Sequence, residues 1–61
     1  MIDNENLKVG EDIIVVNKKS SRYNQLGEVD YIVRTPDGEI RVGVMFGYER
    51  CSFGISEIER A

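Results

Sequence analysis

Thr35-Pro36-Asp37-Gly38 separates two runs in which apolar and polar residues alternate. Glu28-Val29-Asp30-Tyr31-Ile32-Val33-Arg34 precedes it, and Glu39-Ile40-Arg41-Val42-Gly43-Val44-Met45-Phe46 follows. Pro36 presets φ at the first corner of a turn, Asp37 can bond its own downstream backbone, and Gly38 supplies a positive φ. The flanks are rich in Val, Ile and aromatic residues at a period of two. The stretch therefore predicts a β-hairpin, with Ile40, Val42, Val44 and Phe46 on one face of its second strand.

Working outward, Asp12 to Val16 reads as a first strand. Its unbroken run Ile13-Ile14-Val15-Val16 predicts burial on both faces or strong coiling. The polar residues 17–25, NKKSSRYNQ, read as a long loop. Leu26 to Arg34 is the second strand, where Gly27 signals a bulge or a close backbone approach. Glu39 to Phe46 is the third. Gly47-Tyr48-Glu49-Arg50 reads as a tight turn and Cys51 to Gly54 as a short fourth strand. Ile55-Ser56-Glu57-Ile58-Glu59 predicts a 3₁₀ turn or a final short strand. Residues 1–6 read as a flexible tail and residues 7–61 as one domain. Four or five strands in about 50 residues would leave a flat sheet uncovered on one face, and curling into a barrel removes that problem. The expected core is Ile14, Val16, Val29, Val42, Val44, Phe46 and Phe53.

The order of these features resembles the SH3-like group that contains KOW-type and Tudor-type modules. Gly10-Glu11-Asp12-Ile13-Ile14-Val15-Val16 is similar to the group's opening Gly-acid-apolar strand, with one extra residue. Gly27-Glu28-Val29 matches its Gly-x-Val, and Asp37-Gly38 with Val44-Met45-Phe46 matches its Asp-Gly turn and Val-x-Phe strand. Phe53 and Ile58-Glu59 match its late Phe and closing apolar-acid pair. The resemblance spans residues 9–59. It implies an all-β fold, a small SH3-like barrel of four to five antiparallel strands with a short C-terminal 3₁₀ turn. It does not fix a function, because such barrels bind RNA, DNA, proline-rich peptides, methylated side chains and protein partners.

Composition narrows the classes. With 61 residues the chain holds one domain, and a net charge of −3 argues against a nucleic-acid grip by charge alone. A single Cys permits no intrachain disulfide. Neither a leader segment nor a membrane span is evident, so a cytoplasmic setting is expected. The chain has no His, which removes the commonest general base and metal ligand. No catalytic set, metal site or cofactor is expected. Cys51, alternating with Phe53, reads as a small buried core residue rather than a nucleophile.

Two groups of residues are candidates for binding. Lys18, Lys19 and Arg22 beside Tyr23 can meet phosphates while Tyr23 stacks on a base; as a plain solvated loop they need no ligand. Arg34, Arg41 and Arg50 would join them only if the fold gathers them on one side. Tyr23 and Tyr48 lie in two loops that converge at one rim in SH3-like barrels. There they either cap the barrel end or form a contact surface with Arg22 and Arg50, since Tyr and Arg are enriched at binding hot spots. The leading expectation is thus a non-enzymatic module, monomeric or weakly oligomeric, that docks a protein partner through Arg22, Tyr23, Tyr48 and Arg50. The alternatives are a KOW-like or Tudor-like nucleic-acid accessory factor and a small acidic inhibitor from a mobile element.

Overall fold

A computed structural model describes residues 7–61. The expected tail, residues 1–6, lies outside the described residues. Five strands form one antiparallel sheet: β1 (Asp12–Val15), β2 (Leu26–Arg34), β3 (Ile40–Phe46), β4 (Glu49–Gly54) and β5 (Ile58–Arg60). They lie in the order β4-β3-β2-β1-β5, and a 3₁₀ turn, Ile55–Glu57, carries the chain from one edge strand to the other. The fold of the described residues is all-β, a small barrel-like sheet of five antiparallel strands. Among the described residues no helix is long and apolar enough to cross a membrane.

The opening hairpin forms as the sequence dictates. Gly38 N–H donates to Thr35 O at 2.9 Å, Thr35 N–H donates to Glu39 O at 2.7 Å, and Gly38 has φ +88°. This is a three-residue connection in which a tight turn is followed by a left-handed glycine. The Asp37 carboxylate accepts from the Thr35 hydroxyl and is held below the usual carboxylate range, first by that bond and then by Glu39 N–H.

The core comprises Leu7, Ile13, Val15, Val29, Val42, Val44, Phe53 and Ile58, with Ile32, Ile40, Phe46, Cys51 and Ile55 packed against it. Val29, Val42, Val44 and Phe53 are buried as expected, and Phe46 is half-buried. Ile14 and Val16 are corrections: they are half-buried, and Ile13 and Val15 fill the interior instead. Partner strands set this phase. Ile13 stands opposite Gly27, whose missing side chain leaves its inner space to Val44 and Phe46, and Val15 stands opposite buried Ile58. A Cβ on Gly27 would lie 2.4 Å from Val44 Cγ1, so the expected close approach is real. The bulge falls later, between Val29 and Tyr31. Strict alternation from Val29 would turn Tyr31 inward; the extra residue Asp30 turns it outward, over Gly43.

Glu57 secures the closing turn. Its Oε1 accepts from Gly54 N–H and its Oε2 from Asn17 Nδ2, both at 2.8 Å. These bonds, Gly54's first, hold its carboxyl below the 4.5 of an unperturbed glutamate. The folded state therefore binds fewer protons here than the unfolded chain. The stabilisation is fully present above pH 4.5 and is lost as pH falls through the lower folded value. The melting temperature of wild type should accordingly exceed that of Glu57→Gln by a constant margin from neutral pH down to about 5, and by a shrinking margin below it. A margin unchanged at pH 3 would show that the carboxylate is not the stabilising species.

Candidate functional site

Residues 16–25 are a succession of hydrogen-bonded turns rather than a slack loop. Ser20 N–H donates to Asn17 O, Tyr23 N–H to Ser20 O and Gln25 N–H to Arg22 O, at 3.0 to 3.1 Å. Asn24 takes the left-handed φ of +67° and donates its N–H to Val15 O at 2.8 Å. Side chains reinforce the path: Asn17 Oδ1 accepts from Lys19 N–H, and Ser20 Oγ accepts from Arg22 N–H. This chemistry aims Arg22 back at the sheet.

The Arg22 guanidinium lies 4.8 Å from the centroid of the Phe46 ring. Its Nη2 pairs with Glu49 Oε2 at 2.8 Å and its Nη1 donates to Gln25 Oε1 at 3.2 Å. Glu49 foremost, with the nearby Cys51 side chain in support, raises its pKa above the ordinary arginine value. Phe46 and Glu49 are the last cross-strand pair before the β3–β4 turn. One arginine thus clasps the long loop to the hairpin. A cation over a partly exposed aromatic face and a solvent-exposed ion pair each contribute little to stability. The clasp positions the loop more than it stabilises the fold.

The connection itself is Gly47-Tyr48, two residues shorter than expected, because Glu49 and Arg50 already belong to β4. Gly47 has φ +66° and Tyr48 does not share it, which is the backbone of a type II′ hairpin turn. Tyr48 is fully exposed at this tip, and Tyr23 is 44% exposed in the loop. Arg50 points to the outer face and pairs with Asp30 Oδ2 at 2.7 Å, the carboxylate that the bulge places there.

The cations are not gathered. Lys18 and Lys19 are exposed and have no acidic partner among the described residues. Arg41, at the far end of β3, pairs with Glu39 and donates to Ser52 Oγ. Sequence reasoning identified the residue types at the rim but missed that Arg22 and Arg50 have carboxylate partners within the chain. Glu49 was visible as a neighbour of Tyr48; only the fold shows that Arg22 reaches it.

Cys51 needs a correction. It faces inward opposite Val44 and packs against the core but is half-buried, with the Arg22 guanidinium bordering it at this end of the sheet. Replacing Arg22 with Ala should therefore raise the rate of Cys51 alkylation severalfold, with an unchanged far-UV spectrum. Equal rates in the two proteins would show that Arg22 does not shield the thiol. Among the described residues no group of three or more His, Cys, Asp or Glu is arranged to hold a metal ion.

Compared with known protein families, curated proteins and solved structures, the chain matches none.

Proposed function

We propose that this chain is a non-catalytic interaction module of the SH3-like group, and that it docks a protein partner at the rim where residues 16–25 meet the β3–β4 hairpin. The carrying observation is Tyr48, a fully exposed aromatic at the tip of a two-residue turn whose flanking strands are paired and clasped. A tyrosine held this way offers contact area with little rotamer entropy to lose on binding. Tyr23 supplies a second ring from the clasped loop. In this reading Arg22 and Arg50 shape the rim, and Tyr23 and Tyr48 make the contacts.

Free Lys18 and Lys19 support the alternative, a KOW-like or Tudor-like module that meets nucleic acid; the net charge of −3 weighs against it. Capture from native lysate on the immobilised full chain separates the two. Under the protein reading, the captured partner survives nuclease treatment. Tyr23→Ala and Tyr48→Ala each weaken its binding at least about fivefold, while Lys18→Ala and Lys19→Ala change little. Nuclease-sensitive capture that collapses with salt and with the lysine variants would replace this reading with the nucleic-acid one. Undiminished capture by both tyrosine variants would remove the rim altogether.

A further inference from the structure

The outer face of β5, β1 and β2 carries a surface that the rim does not use. In the β1–β2 ladder, Asp12 stands opposite Glu28 and Ile14 opposite Leu26. On the other flank Ile14 stands opposite Glu59. The ladder bonds lie elsewhere: Val29 N–H donates to Glu11 O at 2.9 Å, and Val15 N–H donates to Gln25 O at 3.1 Å. Alternation then puts Asp12–Glu28 and Ile14–Leu26 at the wide, non-hydrogen-bonded pairs, where side chains come closest. Two carboxylates directly opposite each other repel. Arg22, Arg41, Arg50 and Arg60 each pair with another acid, Glu49, Glu39, Asp30 and Glu11 in turn. Among the described residues, no base pairs with Asp12, Glu28 or Glu59. Beside this repulsion Leu26 holds a large aliphatic side chain 64% exposed, with Ile14 half-buried next to it.

We propose that this face docks an extended, basic segment of a partner polypeptide, one that presents Lys or Arg and an aliphatic residue on the same side. Asp12 and Ile14 lie two residues apart on one strand face, about 6.7 Å along it, the spacing that an extended peptide gives its own alternate side chains. Bases then meet Asp12, Glu28 and Glu59 while the aliphatic residue covers Leu26 and Ile14. A second copy of this chain would set acid against acid, and a nucleic acid would be repelled. The proposal is independent of the rim.

The test uses the full chain and a short amidated probe peptide with lysine and leucine at alternate positions, serine between them. Backbone amide shifts on titration should centre on Asp12, Ile14, Leu26, Glu28 and Glu59. Glu28→Lys and Leu26→Ser should each weaken binding about tenfold, and Tyr48→Ala should leave it unchanged. In the free protein, Glu28→Lys should raise the melting temperature by roughly 2–6 °C by ending the repulsion. Any of four results overturns the proposal: no binding, affinity indifferent to Leu26→Ser, shifts centred on Tyr23 and Tyr48, or a melting temperature that does not rise.

Discussion

Phe53→Ala is expected to unfold most of the population at room temperature. Phe53 is 5% exposed, stands opposite Val42, and meets the Phe46 ring edge-to-face with centroids 6.0 Å apart. Removing a buried Phe costs about 3–5 kcal/mol through lost burial and the cavity left behind. A 61-residue chain at typical per-residue stability has only about 3–9 kcal/mol in total. Urea unfolding of the variant should show little or no folded baseline, and its amide spectrum should collapse toward random-coil positions. Phe53→Leu, which keeps much of the volume, should stay folded with a lower midpoint. A Phe53→Ala protein that loses less than about 1 kcal/mol would show that this ring is not a core element.

Ile58→Ala should cost nearly as much, about 2–5 kcal/mol. Ile58 is 1% exposed and is the only fully buried residue of β5, which has three residues. It packs opposite Val15, and beside it Val16 N–H donates to Glu57 O at 2.8 Å. Without the Ile58 side chain the strand has little to hold it against β1. Hydrogen exchange should show the Val16 amide losing protection before the amides shared by β2 and β3. Uniform loss across all strands would mean that β5 opens only with the whole domain.

Much of this architecture is legible in the residues. Pro36-Asp37-Gly38 and the alternation of Ile40, Val42 and Val44 specify the central hairpin without tertiary information. The phase of β1 is a different case. Ile13-Ile14-Val15-Val16 contains no polar residue to mark the outer side, so Gly27 and Ile58, distant in sequence, decide it. Leu7 and Ile58 escaped notice as core because each sits in a short segment with no period to detect. At the rim, the exposed tyrosines follow from their loop positions. The Arg22–Glu49 and Arg50–Asp30 pairs do not, because side-chain pairing across strands depends on register and on where a bulge falls.

The extra residue at Asp30 works like a compensating insertion in a reading frame. Upstream of it β2 is read in one frame, Val29 inward; downstream it is read in the other, Ile32 inward and Tyr31 over Gly43. Deleting Asp30 would remove the bulge and leave Val29–Val44 and Tyr31–Gly43 as successive pairs of a regular ladder, with Tyr31 still outward and Ile32 still inward. Single-residue length changes in β2 are therefore unequal in kind. A deletion at Asp30 makes the ladder regular and keeps every later residue on its side, whereas one within the already regular residues 31–34 moves the strand residues beyond it to the opposite side, and a change in the turn at Pro36-Asp37-Gly38 alters only a connection.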